Sequence, residues 1–138
     1  MTLAMKGVAG SGAQFWTITD LEKFCDAVMA KSEKLYPTQI YDLAEKSHTG
    51  ALGEDASGLG WLIVDERYRQ TGRLFPLGSF GHCGHTGTSF FFSREKYMYA
   101  VILTNATRCL WLKGNYSYGY GVVCKMRENI NNKISEDM

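Results

Sequence analysis

The sequence predicts an α+β fold: a small antiparallel sheet of three or four strands, connected as a meander, with helices from the two ends of the chain packed on one sheet face. Three observations predict it. Apolar residues recur at helical spacing between Thr19 and Pro37, change to strand-like runs from Gly58 to Asn105, and return to helical spacing after Tyr120. No internal repeat, low-complexity run or linker interrupts the 138 residues, so residues 1–138 read as one domain.

The first element is "TITDLEKFCDAVMAKSEKLYP". Thr19 serves as its N-cap, with Glu22 three residues on to complete a capping box. Leu21, Phe24, Cys25, Val28 and Met29 then form one apolar stripe. Pro37 ends that helix and opens a short second one, "PTQIYDLAEK", with Ile40, Leu43 and Ala44 facing inward. "SHTGALGEDASG" has the composition of a loop. "GLGWLIVDERY" reads as a strand, followed by the turn-rich "QTGRLFPLG". "SFGHCG", "GTSFFFS" and "YMYAVILTN" form the meander, the last two joined through the charged turn "REK". "ATRCLWLKGNYSYG" is a connection, and "YGVVCKMRENINNKIS" closes the chain as a helix with Val123, Met126, Ile130 and Ile134 along one face.

Composition excludes several classes of function. The net charge is +1 and the basic residues are scattered among acids, so no stripe is available to neutralise nucleic-acid phosphates. The longest apolar run, "YMYAVILT", falls far short of the ~20 residues that span a bilayer as a helix. "MTLAMKGVAGSGAQF" lacks the apolar centre of a signal peptide, so the chain as written is expected in the cytoplasm. The four cysteines, Cys25, Cys83, Cys109 and Cys124, are widely spaced and suit separate thiols better than a disulfide scaffold.

The chemistry-bearing residues concentrate in "LGSFGHCGHTGTSFFF". His82-Cys83-Gly84-His85 offers three potential zinc ligands, but alternation along a strand turns His82 away from Cys83 and His85, and no second ligand cluster completes a tetrahedron. No metal and no cofactor is therefore expected. "GHCGHTGTS" lacks the lysine of a phosphate-binding loop, and "GVAGSGAQF" follows no strand and fails the dinucleotide fingerprint. Ser93-Arg94-Glu95-Lys96 matches the Ser-x-x-Lys spacing, yet it falls in a hairpin turn where the two side chains need not converge. Cys83 beside two histidines could serve as a nucleophile, although a half-buried structural thiol is the simpler reading.

"SGLGWLIVDE" followed by "FGHCGHTGTSFFFSREKYMYAVILTNATR" resembles the C-terminal part of the serine β-lactamase-like family, which includes class C β-lactamases, penicillin-binding-protein-type peptidases and related esterases. "GVAGSGAQFWTITDLEKF" is loosely similar to an upstream family segment, with Ser11, Ala13 and Trp16 in place of the usual His, Gly and Ser. The resemblance implies a partial β-lactamase/transpeptidase-like fold. It places His82-Cys83-Gly84 on the strand that lines the active-site edge, with Cys83 in place of the usual hydroxyl residue. It makes the backbone N–H of His85 one donor of an oxyanion hole. His85-Thr86-Gly87 fits the same bare triplet; the flanking residues select His82.

The family's nucleophile helix and Tyr-x-Asn loop have no counterpart in the 138 residues. The resemblance thus implies an incomplete hydrolase domain without its N-terminal strands, inactive alone. A small acyl substrate would be turned over only if another chain completed the cleft. A non-catalytic interaction module and a piece of a longer enzyme are the other readings. Without the family's N-terminal strands, Tyr97 to Asn105 becomes an open sheet edge, and a homo-oligomer formed through it is expected.

Overall fold

A computed structural model of the chain describes residues 14–50, 56–67, 71–105 and 116–138. Gly7 to Gly12, Cys109 and the connection over 106–115 lie outside them. The fold is α+β. Helix α1 (Ile18–Met29) and helix α2 (Thr38–Ala44) precede strands β1 (Leu62–Ile63), β2 (Phe80–Cys83), β3 (Ser89–Ser93) and β4 (Met98–Ile102), and helix α3 (Tyr116–Asp137) follows. The strands form one antiparallel sheet in the order β1-β2-β3-β4, a meander with four of the expected three or four strands.

The N-cap of helix α1 is Thr17, two residues before the predicted Thr19. Thr17, in extended conformation, accepts the Asp20 N–H through Oγ1 at 3.2 Å, and its own hydroxyl donates to the Asp20 carboxylate at 2.7 Å. The helix stops where Lys31 adopts φ +48. There Lys31 N–H donates to Val28 O and Ser32 N–H to Ala27 O, the paired bonds of a Schellman motif built on a lysine.

Two further expectations are corrected. In α2, Tyr41 and Ala44 face the core, whereas Ile40 and Leu43 are exposed. The Tyr41 hydroxyl donates to Ser32 O at 2.8 Å, which makes its burial affordable. In α3, the inward stripe is Val123, Arg127 and Asn131, while Ile130 and Ile134 are each 37 % exposed. The buried row is displaced by one position from the apolar one at Arg127, whose guanidinium finds the carbonyl groups of the turn beneath it.

Strand β1 is shorter than the apolar run that suggested it. Gly58 to Trp61 forms a turn, with Gly58 N–H donating to Trp61 O and Gly60 at φ +79. Pairing then continues past Ile63 through Val64, whose N–H donates to Ser79 O.

The register divides the sheet into two faces. Phe80 opposes Phe92 and His82 opposes Phe90, so these four share one side; Gly81 opposes Phe91 and Cys83 opposes Ser89 on the other. On the first side Phe80 and Phe92 join Cys25, Val28, Met29 and Tyr41 of the first two helices. On the second, Phe91 packs with Val64, Leu74 and Phe75. The two terminal helices therefore do not share a face: α1 and α2 cover one side, the segment after Thr71 covers the other, and α3 is held through turns. Arg73 N–H donates to Asn132 Oδ1 at 2.8 Å, and the Cβ of a residue replacing Gly72 (φ +56) would run into Asn132 and the Glu128 carbonyl.

Candidate functional site

The ends of β2 and β3 meet at a three-residue hairpin loop. Gly84 N–H donates to Thr88 O at 2.7 Å and Gly87 N–H to Gly84 O at 3.0 Å. Gly87 has φ +96, which makes the loop a type I turn closed by a left-handed glycine. A Cβ at Gly87 would collide with Thr104 Oγ1 and come within 3.2 Å of Val123 Cγ1, so glycine is required for both conformation and space.

Arg127 fixes this loop from below. It is 1 % exposed, and its guanidinium donates to Gly87 O at 2.9 Å, Gly84 O at 2.7 Å and Thr88 O at 3.2 Å. Thr104 adds a fourth tie, its hydroxyl donating to Thr86 O at 2.8 Å. The carbonyl groups of Gly84, Thr86, Gly87 and Thr88 are thus each engaged by a side chain from outside the hairpin. A trans peptide sets C=O and the following N–H in opposite directions. With Gly84 O turned toward Arg127, the His85 N–H is turned away from the buried guanidinium.

Beside the hairpin lies a cleft of about 410 Å³, lined at its aromatic and polar walls by Trp61, Phe90, His82, Cys83, Thr88 and Ser89. Leu62 pairs with Gly81 and His82 with Phe90, so Trp61, immediately before β1, stands in one row with His82 of β2 and Phe90 of β3. Trp61 is braced edge-on by Phe80, Phe90 and Phe92, with ring centroids 5.7, 5.8 and 5.7 Å away. The row continues outward through Phe24, 6.2 Å from Phe90, to Trp16, 5.9 Å from Phe24.

His82 is exposed, and its Nδ1 lies 2.9 Å from Cys83 O. A carbonyl only accepts, so this hydrogen bond requires the proton on Nδ1 and leaves Nε2 of the neutral ring as an acceptor.

Of the residues singled out from sequence, His82 and Gly84 line the cleft, and His85 sits in the hairpin loop next to it, exposed. Cys83 lines the cleft half-buried, from the sheet face opposite to His82. The Ser-x-x-Lys match is resolved against catalysis. Ser93 is buried and its Oγ accepts the Lys96 N–H at 3.1 Å, while the Lys96 ammonium donates to Leu74 O at 2.9 Å. Among the described residues, no group of three or more His, Cys, Asp or Glu side chains could hold a metal ion.

Sequence reading missed Arg127, Trp61 and Arg94. The last belongs to the charged turn "REK". Arg94 donates to Val28 O and Met29 O at 2.8 and 2.6 Å, capping α1, and pairs with Glu45 through two bonds. A signal for Arg127 existed in its i, i+4 relation to Val123 and Asn131, but periodicity scores apolar residues only.

A second depression, of about 330 Å³, lies between Val64, Asp65, Gly72, Arg73, Glu128 and Asn132. Its polar groups already engage one another or their neighbours, Arg73 with Asn132 and Glu136, and Asp65 with Arg67. The cleft at His82 is therefore the better site. Comparison of the chain with protein-family models, with curated proteins and with solved structures finds no match.

Proposed function

We propose that this chain is the C-terminal portion of a serine β-lactamase-like hydrolase and supplies one wall of an acyl-transfer cleft. In this reading His82 and Gly84 border the substrate, and the His85 N–H is an oxyanion donor. The nucleophile and its base come from another segment. The observation that carries the reading is the hairpin at Gly84–Thr88, whose carbonyls are drawn toward Arg127 and Thr104. Fixed peptide dipoles are worth most to a developing oxyanion when they need no reorganisation during reaction.

The test is exposure of the chain to a penicillin and to an activated ester, followed by intact-mass spectrometry. No stoichiometric acyl adduct is expected on the chain alone, since nucleophile and base act as a unit and little remains without them. An adduct on any serine would overturn the reading. Hydrolysis that appears only on mixing with a segment carrying Ser-x-x-Lys would support it.

The strand order favours a second proposal, self-association. β4 terminates the described sheet, and a terminal strand offers its backbone to another chain. Two copies of Tyr97 to Asn105 pairing antiparallel would join the sheets. A molar mass in solution above that of one 15.5 kDa chain is expected, and a monodisperse monomer would refute the pairing.

A further inference from the structure

The cleft wall has a chemistry that acyl transfer does not require. Trp61 presents an indole that is held by three phenylalanine rings, and Phe90 meets it at 86° to form a corner of two aromatic faces. Both rings are only half-buried, so part of each faces the cleft. Gly60 stands at the mouth, where even an added Cβ would meet nothing within 4 Å. Between the two aromatic positions, on the same sheet face, stands His82 with Nδ1 committed to Cys83 O.

We infer that this cleft binds a small planar aromatic molecule bearing a hydroxyl or N–H group, with its ring against Trp61 and Phe90 and its donor on His82 Nε2. Three properties of the site select that ligand. Offset or edge contacts with fixed rings favour a π system over an aliphatic ring of equal size. In the neutral imidazole with its proton on Nδ1, Nε2 accepts, which favours a ligand that donates. The volume of about 410 Å³ falls within the ~300–1,000 Å³ usual for small-molecule sites. Binding needs no nucleophile, so this inference and the acyl-transfer reading fail separately.

The experiment uses the full chain and three simple probes: phenol, which has ring and donor; anisole, which has the ring alone; and cyclohexanol, which has the donor without the π face. Each is titrated while the indole N–H resonance of Trp61 is followed by heteronuclear NMR. Phenol should shift that resonance with a dissociation constant on the order of millimolar, fitting so small a ligand. Anisole should bind roughly three- to ten-fold more weakly, the loss of one hydrogen bond. Cyclohexanol should also bind more weakly than phenol. His82 is exposed, so His82→Ala leaves the core intact; the variant should bind phenol and anisole alike. A Trp61 resonance unmoved by phenol would overturn the site. Equal binding of phenol and anisole by the native chain, or a phenol preference that survives in H82A, would overturn the role of His82. Cyclohexanol binding as tightly as phenol would overturn the aromatic selectivity.

Discussion

Replacing Arg127 by methionine tests whether a buried guanidinium holds the hairpin in place. Methionine keeps much of the apolar stem and removes all three donors to Gly84, Gly87 and Thr88. Hydrogen bonds to a charged partner contribute about 1.5–3 kcal/mol each. The contact with Thr88 O is long at 3.2 Å, and Gly84 O and Thr88 O each keep a backbone donor within the hairpin. Two full-strength bonds, or about 3–6 kcal/mol, are therefore at stake. Against this stands the desolvation of the guanidinium, which the variant no longer bears and which offsets part of the loss. A net destabilisation of about 2–4 kcal/mol follows. With a urea dependence of about 2 kcal/mol per molar, the unfolding midpoint should fall by roughly 1–2 M. Amide exchange at Gly84 and Gly87, whose N–H groups close the hairpin, should accelerate more than exchange in β3. Arg127→Lys retains charge but not the planar fork, and should recover less than half of the loss. An R127M midpoint within experimental error of the native value, with hairpin exchange unchanged, would refute the role assigned to this residue.

Three other outcomes are expected. Arg94→Met removes the donors to Val28 O and Met29 O and leaves Glu45, whose side chain is only 12 % exposed, without its partner; a loss of about 2–3 kcal/mol by urea unfolding should accompany faster exchange at the end of α1. Thr17→Ala should cost about 1 kcal/mol and Thr19→Ala clearly less, because Thr17 is the residue that caps α1; equal costs would remove that distinction. Burial raises the Cys25 thiol from 9.0 to about 12, and burial followed by the hydrogen bond to Asp26 raises the Tyr99 phenol to about 12. The fold thus favours both neutral forms, so their stabilisation is complete below the unfolded-chain values and is lost as pH climbs toward about 12. Thermal melts should show a midpoint falling across that alkaline window, and a flat profile would contradict it.

What was legible in the sequence was whatever periodicity can encode. The apolar spacing of Leu21, Cys25, Val28 and Met29 marks the buried face of α1, and all four are buried. The runs around Phe80, Phe91 and Tyr99 give three strands of the meander in their observed order. Alternation alone separates His82 from Cys83, and the two do lie on opposite sheet faces. Periodicity fails where a polar side chain does the work of an apolar one. Arg127 and Asn131 are buried at 1 % and 2 % while Ile130 and Ile134 remain exposed, and at Arg127 the reason is that the helix lies over a turn and meets backbone carbonyls rather than side chains. Arg94 escapes notice for the same reason: its charge marks a hairpin turn, yet its guanidinium packs on the carbonyl groups at the end of α1. Thr17 and Thr19 are equivalent on residue type, and only the extended backbone at Thr17 decides between them.

The cleft sits at the seam between two separately packed halves, and this makes its geometry sensitive to both. His82 and Phe90 belong to the face covered by α1 and α2, whereas Cys83 belongs to the face covered by Leu74 and Phe75. The hairpin that closes the cleft belongs to neither core. Its fixed points are Thr104, just beyond β4, and Arg127 on α3. A displacement of α3 along its axis would therefore move three carbonyl anchors together while both hydrophobic clusters stayed packed. The position of α3 is thus part of the geometry of the site, even though its apolar stripe is not what holds it there.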